Sequence, residues 1–215
     1  EMKTRVERAM EQRTAMLAGV SHDLRTILTR FKLEMELIGD SPEVEGMKKD
    51  VDEMNGMLEA YLAFARGDAG EQAAPTHIAA LLEELRSDAE RNGHKASATF
   101  HGLPVVIVKP AAFKRCLANL VSNAARHGKT ISILGQRDHR WLTVTVEDDG
   151  PGIPIAMRED VFKPFLRLDN ARNIDEGGSG LGLAIARDIA RSHGGDIFLG
   201  DSLMGGLRAT VRVPV

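Results

Sequence analysis

A single cysteine, Cys116, stands in a chain of 215 residues, so neither an internal disulfide nor a multi-cysteine zinc site can form. That scarcity fits a reducing compartment. No run approaches the roughly 18 apolar residues that a bilayer crossing needs, and no signal peptide opens the chain. A basic excess is lacking too. With a net charge of −3 the chain shows no sign of the basic stripe used against phosphates, and no nucleic-acid partner is expected. What remains is 43% apolar and 27% charged, ordinary for a soluble globular protein of one large or two small domains. The first residue is Glu1 rather than methionine, which suggests a piece of something longer.

The distribution says more than the totals. Residues 1–66 hold seven of the nine methionines but four of the 21 glycines, whereas residues 177–206 hold nine of those glycines. The first part carries 10 basic and 13 acidic residues and the rest 18 of each. Two different objects are joined: a mildly acidic helical part, 1–66, and a neutral, loop-rich part, 77–215. Between them residues 67–76 (Gly67-Asp68-Ala69-Gly70-Glu71-Gln72-Ala73-Ala74-Pro75-Thr76) have the composition of a flexible linker.

In the helical part, Val44, Met47, Val51, Met54, Leu58, Tyr61 and Ala65 form an a/d heptad seam. An earlier seam runs through Leu17, Val20, Leu24, Ile27 or Leu28, Phe31, Met35 and Ile38. Gly39-Asp40-Ser41-Pro42 separates them as a turn, with Ser41 suited to the N-cap and Pro42 to the first helical position. The reading is an antiparallel hairpin, which two copies would complete as a four-helix bundle, since two helices alone bury too little. On the first helix, His22 lies about 160° from both Val20 and Leu24 and so points to solvent. Asp23 is its neighbour and Thr26 stands one turn on, about 40° round. An exposed imidazole beside a carboxylate and a hydroxyl is either a solvated polar face or a nucleophile with its orienting base and a water-positioning group.

In the second part, Ile78, Leu81, Leu82, Leu85 and Ala89 predict an amphipathic helix, and Pro110–His127 another. Short strands are expected at Val105–Val108, 130–134, 141–147, 196–200 and 207–213, and further helices near 154–161 and at Leu181–His193. Helices layered on one face of a mixed sheet follow from this order. Four clusters look chemical. Asn119 and Asn123 share a helix face at i, i+4; carboxamide oxygens are hard ligands suited to Mg²⁺, and nearby Arg126 could meet a phosphate. Asp148-Asp149-Gly150-Pro151-Gly152 follows a strand, where a carboxylate can accept from an exocyclic amine while glycines let a flat base approach. Phe162-Lys163-Pro164-Phe165 pairs two aromatics. Gly177-Gly178-Ser179-Gly180-Leu181-Gly182 leads into a helix and offers backbone N–H groups to an anion. No Gly-Lys-Ser/Thr follows it and no strand precedes it, so it is neither a Walker A loop nor a dinucleotide fingerprint.

Taken in order, His-Asp-Leu-Arg-Thr on a hairpin, an Asn box, Asp-x-Gly-x-Gly, Phe-x-x-Phe and Gly-x-Gly-x-Gly resemble the H, N, G1, F and G2 boxes of a two-component sensor histidine kinase core. The likeness covers essentially the whole chain, and the wording around His22 and Asn123 is nearest to the osmosensor branch. The resemblance implies an α+β architecture: a dimerisation hairpin at 1–66, then an α/β-sandwich ATP-binding domain of the Bergerat, or GHKL, type at 77–215. It makes His22 the phospho-accepting nucleophile, Asp23 its orienting base, and Thr26 the residue that positions water for a response-regulator phosphatase activity. ATP and Mg²⁺ are the implied cofactors. Asn123 would be the metal ligand with Asn119 beside it, Arg126 a phosphate contact, and His127 a neighbour of the nucleotide. Asp148 would take the adenine amino group. Gly150 and Gly152 would shape that end, Gly178, Gly180 and Gly182 the phosphate end, and residues 163–179 the ATP lid. Implied partners are a second copy and a receiver domain, of the OmpR type by analogy. The implied location is the cytoplasmic side of a bacterial inner-membrane sensor, reached through an upstream segment outside this sequence.

The family has proline directly after the threonine, where this chain has Ile27. Isoleucine restores the backbone N–H that proline removes, so a straighter, stiffer first helix is expected, with an effect on the kinase–phosphatase balance. A non-catalytic dimeric scaffold that binds ATP is the alternative reading. Cys116 is expected to be a buried small hydrophobe and Trp141 a packing residue. His77, His94, His101, His139 and His193 are expected to be surface or capping residues.

Overall fold

The computed structural model describes residues 23–39, 41–66, 70–166 and 180–215. The chain divides into two compact units, the first taking in residues up to Gly67 and the second most of the rest.

In the first unit, helix α1 (residues 23–38) and helix α2 (Pro42–Arg66) form the hairpin. Gly39 turns the chain at φ +96°, and the Ser41 hydroxyl accepts from Val44 N at 3.3 Å, so the serine caps α2 as its position suggested. Helix α1 is unbroken through Ile27, as a residue with a free N–H allows. Leu28 and Met35 of α1 bury against Val44 and Val51 of α2, with Leu58 packed alongside, and Lys32 pairs with Asp52 at 2.5 Å. The seam therefore divides. One residue per heptad lies inside the hairpin, while the alternating Leu24 (42% exposed), Phe31 (45%), Met47 (54%) and Met54 (55%) stay outside it. The choice between Ile27 and Leu28 resolves to Leu28, and Ile27 is at the exposed edge rather than on the buried seam. Leu17 and Val20, and the side chains of Tyr61 and Ala65, lie outside the described residues.

The second unit is a five-stranded sheet, order β2-β4-β5-β7-β6, made of β2 (Lys95–His101), β4 (Thr130–Arg137), β5 (Trp141–Asp148), β6 (Asp196–Asp201) and β7 (Leu207–Pro214). Only β2 and β4 pair in parallel; the other neighbours are antiparallel. Three helices, α3 (Ile78–Arg91), α4 (Pro110–His127) and α5 (Gly182–Ser192), bury one stripe each. The stripe of α3 is the expected one: Ile78, Leu81, Leu82, Leu85 and Ala89. Phe113, Leu117 and Leu120 of α4 are essentially fully buried, as are Ile131, Ile133, Leu142 and Val144 of the sheet. Each such side chain contributes about 1.5–3 kcal/mol on burial, so this layer is where the unit gains its stability. Cys116 is buried, donating to Ala186 O of α5 at 3.4 Å. His77 and His193 both cap: Ala80 N donates to His77 Nδ1 at 3.1 Å, and Lys109 N to His193 Nε2 at 3.0 Å. Trp141 packs beneath the Arg212 guanidinium, 4.3 Å from its ring centre.

Two expectations need correction. Residues 154–161 do not form a helix but two short 3-10 turns, Ile155–Met157 and Asp160–Phe162. Residues 70–76 are not a structureless tether either. Ala74–His77 is strand β1, antiparallel to β3 (Val105–Val108), and the Glu71 carboxylate accepts from Ala111 N at 2.6 Å and Ala112 N at 3.0 Å. Helix α4 has no cap from its own N-cap side chain, Lys109, so Glu71 supplies one from elsewhere in the sequence. The charge also sits at the end of the helix that favours anions.

Substituting Glu71→Ala leaves two N–H groups at the start of α4 without their acceptor. The expected cost is about 1–2 kcal/mol of stability, read as a lower urea midpoint at unchanged slope. An unchanged midpoint would show that the contact carries no weight.

Candidate functional site

The end of β5 and the loop after it bring Asp148, Gly150 and Gly152 together, and α4 brings Asn119 towards Gly182 at the start of α5. Asp148 is the last residue of β5 and is 2% exposed, the one buried carboxylate among the described residues. Among the described residues no cation answers it. Instead its Oδ1 accepts from Gly150 N at 2.9 Å and from Leu207 N at 3.1 Å, while its own carbonyl accepts from Gly206 N at 3.2 Å. Both side-chain bonds fall on Oδ1, so among the described residues Oδ2 accepts none. A buried carboxylate with spare acceptor capacity suits a donor brought by a ligand.

The glycines around it are there for close approach. A Cβ on Gly150 would lie 2.6 Å from His127 O and 2.9 Å from Asp148 Oδ1. One on Gly206 would lie 2.2 Å from Asp148 Oδ1. Gly152 holds φ +70° beside the Gly206 carbonyl. On α4, Asn119 and Asn123 are half-buried on one face, and Asn119 Nδ2 is buried with no partner among the described residues. Asn119 Oδ1 is 3.9 Å from where a Cβ of Gly182, the first residue of α5, would sit. The carboxamide oxygen of Asn119 thus lies near the start of α5, and the start of a helix favours an anion. Arg126 and His127 occupy the exposed last turn of α4; among the described residues neither side chain bonds to the rest of this cluster.

Gly180 holds φ +65°, and its carbonyl accepts from Phe165 N at 3.0 Å. The two aromatics differ: Phe162 is half-buried, whereas Phe165 is 62% exposed and has the left-handed φ of 65°. In the first unit, Asp23 and Thr26 both lie on the exposed surface of α1. His22, Gly178 and most of the expected lid fall outside the described residues.

Two participants escaped the sequence reading, Gly206 and Leu207 through its N–H, and Asp149 was read only as part of the Asp148–Gly152 cluster, without a role of its own. The Gly205-Gly206 pair before the last strand was the available signal. Asp149 is exposed, and its Oδ1 accepts from Lys129 N at 2.7 Å and Thr130 N at 2.9 Å. It ties the loop after β5 to the start of β4. Thr130, through backbone and then side chain, and more weakly Lys129 hold this carboxyl down to about 2, against the opposing effect of desolvation.

Comparison with known proteins places this arrangement. Residues 108–215 match the family described as histidine kinase-, DNA gyrase B-, and HSP90-like ATPase, and residues 12–70 match the His Kinase A (phospho-acceptor) domain. The sensor histidine kinase CpxA of Escherichia coli (strain K12) is 34% identical over 227 residues, covering all of this chain and 50% of that protein. The chain thus spans about half the length of the curated relatives it matches. Among solved structures, the histidine kinase domain of the E. coli osmosensor EnvZ is 36% identical with a TM-score of 0.51, covering 67% of this chain and 89% of that one. Full-length ShkA in complex with AMPPNP has a TM-score of 0.76 over 93% of this chain and 45% of that one. Its 22% identity makes that a likeness of fold alone.

The Asp149 contact has a pH signature. Its folded-state value of about 2 lies below the ordinary 3.8, so the stability it contributes is present above pH 4 and is lost as pH falls through 4 towards 2. Asp149→Asn, neutral throughout, is expected to flatten that part of the acid limb in urea unfolding measured against pH. Parallel curves for the two proteins would contradict the assignment.

Proposed function

Because the chain belongs to the histidine kinase-, DNA gyrase B- and HSP90-like ATPase family and carries a His Kinase A phospho-acceptor domain, we propose that it phosphorylates His22 from ATP and passes the phosphoryl group to an aspartate of a response regulator. The observation that carries this reading is Asp148: a buried carboxylate held by backbone N–H groups, with no cation on it among the described residues and Oδ2 in reserve for the adenine amino group. Gly150, Gly152 and Gly206 leave the base room to approach. At the other end, Gly178, Gly180 and Gly182 with the start of α5 would receive the phosphates. Asn119 would complete its unmet hydrogen bond there, and Arg126 and His127 would approach from the last turn of α4.

The residues also fit Mg²⁺. Among the described residues no three His, Cys, Asp or Glu side chains cluster to cage a metal. A single carboxamide oxygen from Asn123, completed by phosphate oxygens and water, suits a cation that keeps much of its own hydration. When bound, the ion supplies charge neutralisation at the phosphate oxygens. The chain's own part is positioning: the nucleotide held at Asp148 and α5, and the acceptor held ready. The neutral imidazole of His22 forms a nitrogen–phosphorus bond to the γ-phosphorus as the bond to ADP breaks. Asp23 holds the proton on the other ring nitrogen. Thr26 would position water against a regulator's aspartyl phosphate, giving a phosphatase activity as well.

Two copies would join through the hairpin, whose uncovered Leu24, Phe31, Met47 and Met54 form the other half of the heptad seam. The regulator would be a receiver domain of the OmpR type. The parent protein would be an inner-membrane sensor with this core in the cytoplasm; no described helix is long and apolar enough to cross a membrane.

Incubation with ATP labelled on its γ-phosphate should leave an acid-labile, base-stable label on the protein. His22→Gln should abolish the label while retaining nucleotide binding. Label persisting in His22→Gln, or a chain that binds ATP and never becomes labelled, would overturn the reading, the latter in favour of a binding scaffold.

A further inference from the structure

Between the Gly150–Gly152 loop and α5, the chain runs through the two 3-10 turns, in which Val161 is the one buried residue. Such short turns, burying one side chain, need fastening from outside. Arg187, midway along α5 and with its side chain 15% exposed, provides it. Its Nε donates to Asp196 Oδ1 of β6 at 2.8 Å and its Nη1 to Glu159 Oε2 at 2.8 Å. The guanidinium carbon lies 4.2 Å from the centre of the Phe162 ring. Those hydrogen bonds, to Asp196 first and then to Glu159, raise the affinity of the guanidinium for its proton above the ordinary arginine value. Arg191, one turn on, reaches Asp196 as well, at 3.1 Å. On the far side of the same segment, Arg158 donates to Ile153 O at 3.0 Å and pairs with Asp201 at 2.5 Å.

One planar side chain thus holds a helix, a strand, a turn and an aromatic ring together. Three residues beyond Phe162 is Phe165, in its left-handed conformation, donating to the carbonyl of Gly180. Gly180 is two residues before the first residue of α5, where Asn119 looks across at Gly182. A Cβ on Gly180 would stand 2.9 Å from the Phe165 carbonyl carbon, so the two strands of chain are pressed together with little slack. Arg187 is the side chain that locks the first of these strands to the helix that continues the second.

We propose that Arg187 is a positioning residue for nucleotide binding: its clamp on Glu159, Phe162 and Asp196 sets the Phe165–Gly180 contact and thereby the start of α5 as a receptor for the phosphates. The inference rests on the nucleotide-site reading above and deepens it. It also carries an asymmetry. Asp148 is secured by Gly150, Gly206 and Leu207, none of which Arg187 touches. Loss of the clamp should therefore weaken the phosphate end and spare the base end.

The test is binding of ATP by calorimetry alongside binding of adenosine, followed by the amide resonances of Gly150 and Leu207, on the full chain. Arg187→Ala is expected to weaken ATP about tenfold or more while leaving adenosine unchanged. Arg187→Lys, which keeps the charge but cannot span both carboxylates and stack on the ring, should fall between. Should Arg187→Ala fail to fold, Glu159→Gln and Phe162→Leu each remove one arm of the clamp and should show the same asymmetry at smaller size. Equal losses for ATP and adenosine would mean a merely structural residue, and an unchanged ATP affinity no role; either overturns the proposal. If the unaltered chain bound neither ligand, the site reading itself would fail, a result distinct from both.

Discussion

A carboxylate taken out of water has to be held by something, and among the described residues what holds Asp148 is backbone. Burying the charge is costly, and the N–H groups of Gly150 and Leu207 offset the cost only where the chain comes close enough to deliver them. The close approach in turn demands residues without side chains, since a Cβ on Gly206 would collide with the very oxygen being solvated. The end of β5, the loop that follows it and the beginning of β7 are therefore one object. Its antiparallel pairing of Glu147 with Arg208, reinforced by their 2.6 Å ion pair, is the sheet register that puts Leu207 in reach. A slip in that register would leave the buried charge unmet, so the fold of the sheet and the chemistry of the site stand or fall together.

The helices serve the same end. Helix α4 carries the two asparagines, and its start is capped by Glu71, which precedes strand β1, so the segment after the hairpin is seated on the ATPase-like unit rather than hanging from it. His193, at the end of α5, accepts from Lys109 N just before α4 and so ties the end of one helix to the beginning of another. The hairpin obeys a different logic: half of each heptad is satisfied within one chain, and the other half is presented outward.

Much of this was legible in the amino-acid order because it is local. The stripes of α3 and α4 repeat at helical spacing, and Asn119 and Asn123 announce a shared face by their separation alone. Strand β2 was not legible: its half-buried positions are Ala96, Ala98 and Phe100, too small or too mixed to read as an apolar alternation, and its partner β4 lies beyond a whole helix. The segment at 154–161, expected as one helix, is two separate 3-10 turns that bury only Val161, so no continuous apolar stripe is there to hold a longer helix in place. Gly206, Asp149 and Arg187 were illegible for a common reason. Each acts on a residue distant in sequence, and nothing in its own neighbourhood states what it will meet. His22 and the resemblance that names its role belong to motif order rather than to geometry.

The proposed recognition of the adenine amino group by Asp148 is tested most directly by competing ATP against inosine triphosphate, which presents a carbonyl where adenine has its amine. The unaltered chain should prefer ATP by about tenfold or more, because the carboxylate facing the inosine carbonyl leaves two acceptors unpaired, and Asp148→Asn, whose amide can donate as well as accept, should lose the preference. Equal affinity for the two nucleotides, or a preference that survives in Asp148→Asn, would contradict it.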